Sequence, residues 1–235
     1  MASRSLCVMA RAALLSVLLV SPAALANSET EATAALNEGQ QQGDTRAFIQ
    51  TLGDQAISIL ADRDAKPDIR DQTFRDLMHR SFDLPTIARF VIGRNAWNGA
   101  AQPEKDEYLA LFEKLVIHIY SDRFAMYSGE IFKVVDDHAE GERDTIVTSH
   151  VQRPDSDQPI VVDWRVRNFD GRLAIIDVIV EGISMSVTQR QEYSSVLQRN
   201  ENSIAPLLKL MRDSLDKQNR AADKAAAETQ TVERE

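Results

Sequence analysis

The chain has 235 residues, with 27 Lys and Arg against 36 Asp and Glu, a formal net charge of −9, and one cysteine. So acidic a balance offers no long-range attraction to nucleic acid or to anionic lipid head groups, and no nucleic-acid partner is expected. A lone cysteine excludes a disulfide framework and a thiolate metal cluster.

Residues 1–26 read as a secretory signal peptide. Arg4 and Arg11 make a basic start, Ala12 to Val20 is an apolar run too short to span a bilayer comfortably, and Ala24-Leu25-Ala26 is a small-x-small cleavage site. Cys7 sits too early to become the lipid-modified first residue of a lipoprotein. Cleavage after Ala26 removes 26 of 235 residues and leaves 209, without a thiol; losing Arg4 and Arg11 takes the charge from −9 to −11. That length suits one sizeable domain or two small ones, in the periplasm or outside the cell.

Residues 27–43 are polar, end in glycine and form a flexible lead-in to a folded part that spans residues 44–215. Thr45 to Asp62 carries Phe48, Ile49, Leu52, Ala56, Ile59 and Leu60 at helical spacing. Pro67 suits the first position of a second helix, which runs to about His79. The segment DLPTIARFVIG, residues 83–93, is a short helix started by Asp83 or Leu84 and stopped at Gly93. Pro103 opens the longest helix, to about Phe124, whose stripe of Leu109, Leu111, Phe112, Leu115, Val116, Ile119 and Tyr120 requires burial.

The texture changes near Gly129. Residues 130–138, 143–152, 159–168 and 172–181 are rich in Val and Ile, separated by EGER, RPDSDQP and FDG, and read as four strands of an antiparallel meander. Helical pattern returns from Ser186 to Gln198 and from Ser203 to Leu215, and residues 216–235 are a polar tail. The fold class is α+β, with helices packed against one side of a strongly curved, mainly antiparallel four-stranded sheet.

The last hairpin decides more than the others. A type I′ turn at Asp170-Gly171 pairs Val166 with Ile175, Trp164 with Asp177 and Val162 with Ile179. One face then holds Val162, Trp164, Val166, Leu173, Ile175 and Ile179, with Asp177 the exception. The other holds Asp163, Arg165 and Arg167 opposite Ala174, Ile176, Val178 and Val180. The first face needs complete cover. Helices and an enclosed cavity both satisfy that pattern, because periodicity does not separate them.

Catalytic chemistry is thinly represented. The four histidines, His79, His118, His138 and His150, lack metal-ligand spacing. GISMS, residues 182–186, lacks the G-x-S-x-G elbow and reads as a strand-to-helix junction capped by Ser184 or Ser186. FVIGRNAWNG has isolated glycines, not those of a phosphate loop. Asp177 has two readings. On an apolar face it is a candidate general base of the kind that cone-shaped α+β isomerases hold in an apolar pocket; otherwise it accepts hydrogen bonds from a helix terminus. Glu181-Gly182 is a turn at the strand end.

Two blocks, FDLPTIARFVIGRNAWNGAAQPEKDEYLALFEKLVIHIY and VDWRVRNFDGRLAIIDVIVEGISMSVTQRQEYSSVLQRN, resemble the MlaC family of periplasmic phospholipid-binding proteins. That family serves the maintenance of lipid asymmetry and is also labelled a toluene-tolerance auxiliary component. Asp83 through Arg94 with Trp97, and Asp163, Trp164, Gly171, Asp177, Val178, Glu181, Gly182 and Ser184, carry the likeness, which spans about residues 45–215. One departure is RNENSIAP, residues 199–206, where glycines are expected after the helix.

The resemblance implies an apolar pocket between helices and sheet that takes the acyl chains of a phospholipid as cargo, with no other cofactor, no metal and no enzymatic activity. The partners it implies are an inner-membrane ABC transporter with an MCE-type ring and an outer-membrane lipoprotein–porin complex. The chains are then expected against Phe82, Ile87, Phe90, Val91 and Trp97 of the first block and Phe112, Val116 and Tyr120 of the long helix. On the hairpin, Val162, Trp164, Val166, Ile175 and Ile179 complete the set. The segment Phe82 to Trp97 is the expected gate. A hopanoid-associated branch of the family would carry a rigid polycyclic lipid instead, and a structural adaptor with an ordinary core is the remaining alternative.

Overall fold

The computed structural model describes residues 44–62, 67–124 and 129–232, so the expected signal peptide and lead-in lie outside the described residues. Helix α1 covers residues 44–61. Four more helices follow: α2 Pro67–Ser81, α3 Leu84–Ile92, α4 Arg94–Gly99 and α5 Gln102–Phe124. The strands are β1 Ile131–Glu140, β2 Asp144–Gln152, β3 Ile160–Phe169, β4 Arg172–Val180 and β5 Ile183–Ser184, and the chain closes with α6 Met185–Gln198 and α7 Ala205–Val232.

Local chemistry sets most of these boundaries. Asp83 caps α3 by accepting from the Thr86 amide at 3.0 Å, and Gly93, at φ 80°, ends it. The chain resumes helix immediately as α4, which a stop at Gly93 does not anticipate. Ser184 caps α6 through the Val187 amide at 3.1 Å. α5 has 23 residues and is not the longest helix; α7 has 28, because its Ala-, Lys- and Glu-rich continuation past Leu215 keeps helical geometry without an apolar face. Between α6 and α7, Glu201 and Asn202 take the left-handed conformation, at φ 54° and 62°, in the loop where glycines were expected. The Asn200 and Asn202 amides both donate to the Leu197 carbonyl there, at 3.0 and 2.8 Å.

The sheet is an antiparallel meander in the order β1-β2-β3-β4-β5. It differs from expectation in having five strands rather than four, and in being open rather than strongly curved. The fifth is a two-residue strand folded back by Glu181-Gly182, whose φ values of 49° and 78° suit the tight turn. The Asp170-Gly171 turn has positive φ at both residues, and Asn168 Oδ1 accepts from the Gly171 amide at 2.6 Å.

Register holds from that turn to Val166 opposite Ile175 and then slips. A bulge leaves Arg165 opposite Asp177, Trp164 opposite Val178, Asp163 opposite Ile179 and Val162 opposite Val180. Because side chains alternate with period two, one extra residue exchanges the faces of everything beyond it. Val178 and Val180 take the place expected of Asp177 and Ile179.

Two apolar cores result. One joins α3 to α7 around Tyr108, which is fully buried and donates to the Ala88 carbonyl at 2.9 Å. The other seats α1 and α2 on the sheet through Ile49, Leu52, Leu77, Val147, Val166 and Ile175. The opposite sheet face is closed by its own polar pairs: Arg167 grips Asp144 with two bonds of 2.6 and 2.8 Å, and Thr148 donates to Asp163 at 2.6 Å. That bidentate bond raises the Arg167 pKa further.

Candidate functional site

A cavity of about 780 Å³ lies between the helices and the sheet, within the roughly 300–1,000 Å³ of ligand-binding clefts. Its walls share residues with both cores, Leu52 and Leu77 of one and Val91 and Phe112 of the other, and extend beyond them. α1 contributes Leu52, Ala56, Ile57 and Leu60, α2 contributes Phe74, Leu77 and Met78, and α3 contributes Leu84, Ile87 and Val91. Phe112, Val116 and Ile119 face it from α5, one helical turn apart. The sheet supplies Phe132, Val162, Trp164, Val178 and Val180.

The β3 wall is held from behind. Trp164 donates its indole N–H to Ser149 Oγ at 2.8 Å, Ser149 donates in turn to the Val162 carbonyl at 3.1 Å, and Phe132 meets the Trp164 ring edge-on at 6.1 Å. Phe132 also fills the space beside Gly53, where an added Cβ would overlap its ring. Glycine thus lets α1 approach the sheet.

Of the residues singled out from the sequence, Phe82, Ile87, Val91, Phe112, Val116, Val162 and Trp164 line this cavity. Phe90 does not. It is 43% exposed, lies under the Arg190 guanidinium at 4.9 Å, and its carbonyl accepts from Arg190 at 2.7 Å. Trp97 packs on the helical core with Arg89 and Lys105 over its ring. Val166 and Ile175 are 1% and 0% exposed in the solid core between α1, α2 and the sheet. Ile179 lies opposite Asp163, outside the lining, because of the bulge. The Tyr120 side chain lies outside the described residues. The α1 wall went unrecognised; its one sequence signal is the pair of small residues, Gly53 and Ala56, inside an apolar stripe.

The expected gate is firmly attached. The Asp83 amide donates to the Ile175 carbonyl at 2.9 Å beside the bulge, Phe82 bridges Ile175, and Ala88, Val91, Ile92 and Ala96 are buried. Asp177 is at the wall, and its carboxylate is committed. It accepts from the Val178 amide at 2.9 Å, the Ser186 amide at 3.1 Å and the Ser184 hydroxyl at 2.6 Å, which ties β4 to the start of α6. The polar part of the lining includes Glu130, Arg153, Gln189 and Glu192. Next to the last of these, burial and the Glu192 charge push the Tyr193 hydroxyl up to about 12. A smaller cavity of about 330 Å³, between α5, α6 and α7, shares Phe112, Val116 and Ile119 with the first.

Among the described residues, no group of three or more His, Cys, Asp or Glu could hold a metal ion, and no helix is long and apolar enough to cross a membrane. Fold and site together define an α+β protein built around an internal apolar cavity. The chain belongs to the MlaC protein family, whose model matches residues 50–213. It is also similar to a phospholipid-binding protein from Ralstonia solanacearum, solved in complex with a phospholipid. Identity is 18% and the TM-score 0.66, with 74% of this chain and 98% of that one covered.

Proposed function

We propose that this protein is a soluble periplasmic carrier of phospholipid, with acyl chains in the cavity and the head group at its polar rim. The observation that carries the reading is the apolar cavity of about 780 Å³. Family membership and the fold shared with a protein solved with a phospholipid support it. Trp164, Val178, Ile87, Val91, Phe112 and Val116 are assigned to chain contact. The protein is assigned no catalytic step, since the carboxylate offered as a base, Asp177, already accepts three hydrogen bonds.

Energetics suit a shuttle. Burying acyl chains is worth about 0.8 kcal/mol per methylene, so two chains of roughly fifteen carbons represent on the order of 20 kcal/mol against water. The membrane they leave offers nearly the same, and net transfer lies close to thermoneutral. Direction then comes from the partners, assigned here as an outer-membrane lipoprotein–porin complex and an inner-membrane ABC transporter with an MCE-type ring.

The test is to isolate the protein from its native periplasm, extract it with organic solvent and identify the extract by mass spectrometry. Phospholipid in near-stoichiometric amount is the expected result, a polycyclic lipid places the protein in the hopanoid branch, and an empty protein overturns the carrier reading.

A further inference from the structure

We propose that Arg153 contacts the phosphate of the carried lipid, so that the site takes a phosphodiester-bearing lipid in preference to an uncharged one with the same hydrocarbon. This rests on the carrier reading above. Arg153 is the one Lys or Arg among the described residues lining the cavity, where the remaining charged groups are Glu130, Asp177 and Glu192. It directly follows the last residue of β2, and the pairing of Ile131 with Gln152 puts Glu130 across from it at the strand ends.

The backbone under Arg153 is built. Gln152 Nε2 donates to the Arg153 carbonyl at 3.1 Å and also to the Ser156 carbonyl, while the Ser156 amide donates to the Arg153 carbonyl at 3.4 Å. Its side chain, by contrast, is only loosely engaged. Among the described residues it pairs with Asp155 at 3.6 Å, with the two side chains 48% and 79% exposed, a contact that solvent screens. A guanidinium on an ordered turn in a mostly apolar lining presents a fork of N–H donors matched to phosphate oxygens. Of the three carboxylates, Asp177 is fully bonded, Glu192 accepts from Gln189 at 3.0 Å, and Glu130 lies across the strand ends from Arg153. Chains buried in the cavity leave their polar end at this rim, and Arg153 is the group there that attracts an anion.

The experiment offers lipid-free protein to vesicles containing equal amounts of phosphatidylethanolamine and diacylglycerol with identical chains. The ratio of the two lipids on the recovered protein is read by mass spectrometry, with a thermal melt of each variant. Wild type is expected to enrich the phospholipid, Arg153→Ala to lower that enrichment roughly fivefold, and Arg153→Lys to retain part of it. Asp155→Asn is expected to preserve or raise it, and about 1 M salt to bring wild type toward the alanine variant. An unchanged ratio in folded Arg153→Ala overturns the proposal and leaves the carrier reading standing, whereas uptake of neither lipid by wild type overturns the carrier reading itself. If Arg153→Ala does not fold, the lysine variant and the salt series decide. Loss of the preference in millimolar glycerophosphoethanolamine, which lacks chains, makes this a site for free phosphodiesters and also overturns the lipid assignment.

Discussion

Trp164 and Ser149 share a hydrogen bond of 2.8 Å from the indole N–H to the hydroxyl, across the β2–β3 pair and under the cavity. Ser149 is fully buried, so no water replaces it. Ser149→Ala strands the indole donor and is expected to cost about 1–2 kcal/mol, which lowers the melting temperature by roughly 2–8 °C for a domain of this size. Lipid occupancy is expected to persist because the ring remains in place. A melt indistinguishable from wild type contradicts this account of the wall.

Charge placed on the wall and charge placed in the core have opposite consequences. Val178→Glu points a carboxylate at the cavity, where lipid can leave and water enter, so the protein is expected to fold and to lose its cargo. Ile175→Glu buries the same charge at a fully enclosed position, at a cost of several kcal/mol, and is expected to unfold the chain. Ile69→Glu, at a site 56% exposed, is the control with normal lipid and a normal melt. A folded Val178→Glu variant that keeps its full lipid moves the chains elsewhere.

Gly53 supplies a test of sign. Gly→Ala inside a helix ordinarily gains about 1 kcal/mol. Here the new methyl overlaps the Phe132 ring, itself held against Trp164, and overpacking of that kind costs roughly 1–3 kcal/mol. Gly53→Ala is therefore expected to destabilise, and Phe132→Leu to lessen that penalty when the two are combined. Denaturant melts of the two single variants and the double variant read the coupling. Stabilisation by Gly53→Ala places α1 farther from the sheet.

Tyr108 and Tyr193 have pKa values above the usual 10, both chiefly through burial, Tyr193 at about 12 and Tyr108 higher still. Raised folded-state values mean that their contribution to stability is complete below pH 10. It is lost progressively as pH rises above 10 towards the folded-state value, a window that closes at about pH 12 for Tyr193. Tyrosinate absorbance across an alkaline titration is expected to show one group ionising near pH 12, absent from Tyr193→Phe. Ionisation of Tyr193 near pH 10 in the folded protein counts against its burial.

Sequence by itself determined what is local. The Asp83 cap, the end of α3 at Gly93, the Asp170-Gly171 turn and the existence of the four long strands β1 to β4 depend on neighbours a few residues away, and each is found where its chemistry puts it. Tertiary structure decided the rest. The bulge between Arg165 and Val166 lies beyond any turn signal, beside the point where Asp83 and Phe82 meet Ile175, and it moves Val178 to the wall and Ile179 away from it. Apolar periodicity says which face avoids water, and burial against protein and burial against an empty volume impose the same pattern. Ile175 in the core and Leu60 at the cavity are therefore alike in sequence, and only the spacing of α1, α3 and α5 from the sheet separates them.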